Sequence, residues 1–225
     1  MNIAVLIIHR GDRPRFLENL MRMVNAQTLQ PTEVYELGSP PENNVCDISK
    51  RYRLGYLHLS KVSKADVIAF MEVDDYYAPN YLEEMAKAWQ EAGKPDLFGT
   101  TNTIYYNIKL FAYFKMQHYL SGIAMATLIK PNLDLGNVID EDPYFDKHIY
   151  NHITNKELFT PNKTICIGIK HGDGMTGGSY HHERLDRFTT NKGITDYDKS
   201  FLKANMDKDS FEFYSNYFQQ KSQPI

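Results

Sequence analysis

Residues 65–84, ADVIAFMEVDDYYAPNYLEE, constrain the fold more than any other stretch. Positions 67–71 form a short apolar run of the kind a buried strand shows, and the run ends abruptly in acid at Glu72, Asp74 and Asp75. Like charges this close raise one another's pKa unless a cation neutralises them, and oxygen ligands in a turn suit Mg2+ or Mn2+. The competing reading is an acidic turn facing solvent. Against it stands the next segment, Tyr76-Tyr77-Ala78-Pro79, with Pro79 a helix starter and Tyr81, Leu82, Met85 and Trp89 at helical spacing. Strand, acidic turn and helix together place ligands at the carboxyl edge of an open α/β sheet.

The amino-terminal part repeats the logic. Residues 3–8 read as a central parallel strand, 9–14 as a turn, and Phe16, Leu17, Leu20, Met23 and Val24 as the stripe of a helix. A second strand is expected at 33–37, and a helix at 51–64 delivers the chain to the strand at 67. These units make a βαβ start with a right-handed crossover. No G-x-G-x-x-G follows Ile8 and no G-x-x-x-x-G-K-[ST] occurs, which removes local support for a dinucleotide site or a P-loop.

Composition narrows the partners. A net charge of -3 over 225 residues argues against extended wrapping of nucleic acid. Basic patches remain at 50–53 and at Arg184 with Arg187. Two cysteines, Cys46 and Cys166, lie far apart and in no metal spacing, so a reducing, cytoplasmic setting is expected, without a signal-like segment or membrane span.

In the second half, 103–114 reads as strand or hairpin, 164–169 as a strand, and 121–126 as small residues suited to close passage beside a ligand or to tight packing. A second acidic cluster, Asp140-Glu141-Asp142, precedes Pro143; with Pro143 at the first helical position, Asp142 falls at the cap. The glycine-rich stretch 171–179 suits a lid or a phosphate-side loop. Beyond 194, Phe201, Leu202, Phe211, Tyr214 and Tyr217 anchor two short helices.

Two stretches together, VLIIHRGDRPRFLENLMRMVNAQTLQPTEVYELGS and SKADVIAFMEVDDYYAPNYLEEM, resemble the GT-A glycosyltransferases of the family 2 type, most clearly over the first 100 or so residues. The resemblance implies an α/β GT-A fold with a mostly parallel central sheet. It implies a glycosyltransferase domain at 1–195, with a nucleotide-binding half at 1–99 and an acceptor half at 100–195, and a C-terminal helical extension at 196–225. It further implies an inverting, metal-dependent transfer from a nucleotide sugar, most often a UDP-sugar, to a hydroxyl. Carried onto this chain, His9, Arg10, Arg13, Glu36, Glu72, Asp74 and His171 would contact the nucleotide or diphosphate, and Asp75, Asp74 and His171 the Mn2+ or Mg2+. Asp142, with Glu141 beside it, would serve as general base. The chain departs from the family at Glu36-Leu37, where members commonly carry two aspartates, and at His9-Arg10, where they commonly read Thr-Tyr. Those departures also suit a scaffold that kept the shape and lost catalysis. A nucleotidyltransferase is the other alternative. The acceptor is expected to be a saccharide, a protein side chain or a modified nucleotide, DNA included.

Overall fold

The computed structural model describes residues 1–38, 40, 46–101, 103–116, 127–172 and 193–218. The strands form two sheets. The larger has the strand order β2-β1-β3-β8-β5-β9, formed by β1 (Ile3–His9), β2 (Glu33–Gly38), β3 (Val67–Glu72), β5 (Leu97–Thr100), β8 (Thr127–Ile129) and β9 (Lys156–Phe159). Its pairings are parallel except where β8 runs antiparallel between β3 and β5. The smaller has the order β11-β7-β6-β10-β4, formed by β4 (Tyr76–Tyr77), β6 (Thr103–Asn107), β7 (Ala112–Met116), β10 (Cys166–Lys170) and β11 (Ile194–Thr195).

The unbroken apolar runs of β1 and β3 follow from burial on both faces. Alternate side chains point to opposite sides, so Ile3, Val5, Ile7, Val67, Ala69 and Met71 enter one cluster and Ala4, Leu6, Ile8, Ile68 and Phe70 the other. The first cluster is covered by α1 (Pro14–Asn25) and α3 (Tyr81–Glu91), the second by α2 (Ile48–Val62) and α4 (Phe145–His152). Strand β2, at the sheet edge, alternates half-buried and exposed positions instead.

Helix α1 starts at Pro14, whose missing N–H is no loss in a first turn, and buries Phe16, Leu20, Met23 and Val24. At its end Gln27, 3% exposed, donates to the carbonyls of Met23 and Ala78 and accepts from the Leu82 amide. One buried amide thus closes α1 and satisfies an orphan donor at the start of α3.

The expected inner strand at 67–71 is β3, flanked by β1 and β8. The expected hairpin is β6 and β7, antiparallel across a turn at 108–111. The expected helix pair near the carboxyl end is α5 (Ser200–Asn205) and α6 (Lys208–Ser215). Its anchors Leu202, Tyr214 and Tyr217 sit in the same apolar cluster as β1 and β3.

Two local expectations differ. Strand β4 intervenes between the acidic turn and α3, because Tyr76 and Tyr77 pair with Ile167 and Cys166 across the second sheet. Helix α4 begins at Phe145 with Tyr144 at its cap, so Pro143 stands before the helix and Asp142 before the cap. The small-residue run 121–126, the glycine-rich stretch from 173 onward, and Arg184 and Arg187 lie outside the described residues.

Candidate functional site

The acidic turn lies where the two sheets join. It leaves the carboxyl end of β3 in one sheet and re-enters the other as β4, so its two ends are held by different ladders. The Asp75 amide bonds back to the Glu72 carbonyl at 3.3 Å and closes the turn. Strand β10 runs alongside and delivers Ile169, Lys170 and then His171 to it.

Within this turn the three carboxyls differ in role. Asp75 is 1% exposed; its Oδ1 accepts from the Ile169 amide at 2.8 Å, and its Oδ2 is buried with no hydrogen-bond partner. Burial, and then the charge of Glu72, push the Asp75 carboxyl well above its ordinary range. Glu72 is pushed up to about 7 by burial and by Asp74, with Lys170 opposing. Its Oε1 accepts from the Tyr52 hydroxyl at 3.3 Å. Asp74 goes the other way. Burial works against its ionisation, yet Arg13 and His171 outweigh it and hold the carboxyl well below the ordinary range.

Asp74 is therefore the fixed anion of the group. Its Oδ2 accepts from Arg13 Nη1 at 2.7 Å and lies 2.8 Å from His171 Nε2, and Arg13 Nη1 is 3.0 Å from the same ring nitrogen. His171, 1% exposed, packs its ring 4.7 Å from that of Phe16. The sequence candidates Arg13, Glu72, Asp74, Asp75 and His171 thus come together in one place.

His9 and Glu36 come together beside them. Ile8 pairs with Glu72, so His9 leaves β1 next to the acidic turn. The Gly11 amide donates to His9 Nδ1 at 3.1 Å, which leaves Nε2–H to donate to Glu36 Oε1 at 2.8 Å. Gly38 is required for this arrangement, since a Cβ there would fall 2.2 Å from His9 Nε2. Arg51 Nη1 donates to the His9 carbonyl at 2.7 Å and ties the turn to α2. Arg10 follows in the same turn.

Arg51 is 6% exposed and ion-paired to Asp47, and Arg53 forms a two-point bridge to Asp140. Each arginine has an acid within reach, and its ion pair takes up part of its hydrogen-bonding face.

Glu141 is exposed, and Asp142 is engaged in its own loop: Oδ1 accepts from the Tyr144 amide at 2.8 Å and Oδ2 lies 3.0 Å from His148 Nε2. The acid in the first turn of α4 is Asp146, and its charge is among those that raise Glu72. Sequence reading passes over it because Pro143 marks a helix start three residues earlier. The signal that could have found it is the apolar spacing of Phe145 and Ile149, which sets where the buried face of α4 begins.

Three carboxylates with ligand atoms within 4.8 Å of one another, one of them carrying a buried oxygen that no hydrogen bond uses, fit a hard divalent cation. The fit predicts a pH dependence. Without a bound cation, Glu72 holds its proton more tightly in the native state, so its contribution to stability is complete below about 4.5 and is lost as pH rises through about 7. Binding a cation expels that proton over the same window. Mn2+ affinity measured by calorimetry is expected to rise at least about tenfold between about pH 6 and about pH 8, since the raised Asp75 carboxyl must release its proton as well. Equal affinity at the two values would show that Glu72 is already ionised.

The largely parallel sheet flanked by helices is a fold shared with solved structures. No protein-family profile and no curated protein matches the sequence. Among solved structures, S. aureus TarS 1-349 in complex with UDP-GlcNAc matches with a TM-score of 0.57 and 12% identity, over 97% of this chain and 72% of that one. TarS 1-349 in complex with UDP matches with a TM-score of 0.51 and 11% identity, over 75% of this chain and 60% of that one. A longer TarS chain matches with a TM-score of 0.52 and 12% identity over 75% of this chain, which spans 37% of its length. The likeness is one of fold. Among the described residues, no helix is long and apolar enough to cross a membrane.

Proposed function

We propose that the protein is an inverting glycosyltransferase that moves a sugar from a nucleoside-diphosphate sugar, a UDP-sugar in the first instance, to a hydroxyl acceptor. The observation that carries this reading is the acidic turn, with its unpartnered Asp75 Oδ2 backed by the Arg13–Asp74–His171 group at the carboxyl edge of the sheet. UDP and UDP-GlcNAc in the matched TarS structures support the choice of donor.

In this reading Asp75, with Glu72 and Asp74, holds Mn2+ or Mg2+, which when bound supplies positive charge to a leaving diphosphate. Arg13 and His171 keep Asp74 ionised and in place. The base of the nucleotide lies over the ends of β1 and β2, near His9, Arg10 and Glu36, and Lys170 stands beside the carboxylates. Asp146 takes the proton of the acceptor hydroxyl as its oxygen bonds to the anomeric carbon. The acceptor oxygen bonds on the face opposite the bond from that carbon to the diphosphate oxygen, which breaks with its electron pair on the leaving group, so the configuration inverts. The role is given to Asp146 rather than Asp142 because Asp146 stands in the first turn of α4 with its charge reaching the acidic turn, where it is among those that raise Glu72. Free thiols at Cys46 and Cys166 suit a cytoplasmic setting.

The test is product analysis with Mn2+ and a panel of nucleotide sugars. Release of nucleoside diphosphate from one of them is expected. Pyrophosphate from a nucleoside triphosphate and a sugar phosphate would make the protein a nucleotidyltransferase, and no turnover or donor binding at all would leave a scaffold.

A further inference from the structure

The acidic turn carries three buried or half-buried carboxyls that repel one another, so something must hold its backbone. Two tyrosines from the body contribute: the Tyr77 hydroxyl accepts from the Glu72 amide at 2.7 Å, and Tyr52 donates to the Glu72 side chain. A third comes from near the other end of the chain. Tyr214 on α6 is 1% exposed, and its hydroxyl donates to the Asp75 backbone carbonyl at 2.9 Å.

Helix α6 is itself gripped on both sides of the turn. Asp207 caps it by accepting from the Ser210 amide at 3.0 Å, and Arg22 of α1 donates to Asp207 Oδ1 at 3.2 Å and to Ser210 Oγ. The Asp207 amide donates to the hydroxyl of Tyr76, the residue after Asp75, at 3.2 Å. Phe213 and Tyr217 pack on Phe16, which packs on His171. The C-terminal segment therefore reaches the ligand turn through Tyr214 and Asp207, and the Asp74 partner His171 both through Phe16 and through the Tyr217 ring, 6.3 Å away.

We propose that Tyr214 is a positioning residue for the cation-binding turn, so that docking of α6 and cation affinity are coupled. The inference rests on the reading of Glu72, Asp74 and Asp75 as a cation site. Without the hydroxyl, the Asp75 carbonyl loses its donor in a dry environment, and the cost is relieved by rotating the peptide that carries Asp75. That rotation spreads the ligand oxygens. Groups that orient metal ligands from behind typically contribute a factor of about 10 to 100 in affinity. Coupling is reciprocal, so a cation bound at the turn must tighten the docking of α6.

The experiment uses the full chain and Mn2+ alone. Affinity is read by calorimetry for the wild type and for Tyr214→Phe, which keeps the ring packed beside Phe213 and removes only the hydroxyl. Amide exchange in 208–215 is followed with and without Mn2+ in the wild type, a readout that needs no variant to fold. The expected result is affinity about tenfold weaker in Tyr214→Phe, together with slower exchange in α6 when Mn2+ is added to the wild type. Affinity within about twofold of wild type, whatever the change in Tm, or α6 exchange indifferent to Mn2+, overturns the coupling while leaving the cation site standing. A wild type that binds no Mn2+ removes the cation reading and this inference together.

Discussion

Asp75→Asn is expected to lower cation-dependent donor affinity by at least about a hundredfold, with turnover falling in step. The substitution is well suited to the question because asparagine keeps an oxygen able to accept from the Ile169 amide and so preserves the one hydrogen bond Asp75 Oδ1 makes. What disappears is the charge, and with it the anionic oxygen at Oδ2. Burial and Glu72 both disfavour that charge when no cation is present. The variant should accordingly be no less stable than the wild type near neutral pH, and a thermal melt beside the calorimetry checks this. Weak binding in a protein that melts no earlier locates the loss at the site. Unchanged affinity would mean that the acidic turn binds no cation with Asp75.

Asp146→Asn is expected to reduce kcat by at least about a hundredfold while donor affinity stays within a few-fold of wild type, in line with what general bases contribute. Asp146 stands in the first turn of α4, a position the helix dipole favours for an acid. Asp142→Asn makes the informative partner. Asparagine keeps an oxygen that can accept from the Tyr144 amide and weakens only the contact with His148, so the substitution is expected to cost no more than about 1 kcal/mol of stability and little turnover. Rate measurements at saturating donor on both variants decide between them: a large fall in kcat for Asp142→Asn with Asp146→Asn near normal would return the base to the loop.

Much of the frame is readable in the chain because it depends on local pattern. Continuous apolar runs mark strands covered on both faces, and β1 and β3 are covered in that way. Proline at the start of α1 and four apolar residues on one face place that helix within a residue or two. The acidic end of β3 is visible for a physical reason as well, since such a cluster at a strand end is unfavourable without a counter-charge.

The features that stay hidden depend on partners distant in sequence. Strand β4 exists only because β10, 90 or so residues later, pairs with it. The division of labour within the turn, Asp74 ionised and Asp75 disfavoured, is set by Arg13, His171 and Glu72 in three dimensions and leaves no trace in the order D-D. Pro143 reads as a helix start, but the helix begins where Phe145 can reach the core, which leaves Asp142 outside the cap and puts Asp146 in the first turn. Tyr214 reads as a packing anchor, and no periodicity could say that its hydroxyl meets the Asp75 carbonyl.

The most direct measurement is a crystal structure of the full chain grown with UDP and Mn2+, using the anomalous signal of manganese. The account predicts a peak at bonding distance from Asp75 Oδ2, diphosphate oxygens on its open side, and uracil over the ends of β1 and β2 beside His9 and Glu36. A manganese peak elsewhere, or UDP bound away from the carboxyl edge of the sheet with the acidic turn untouched, would contradict it.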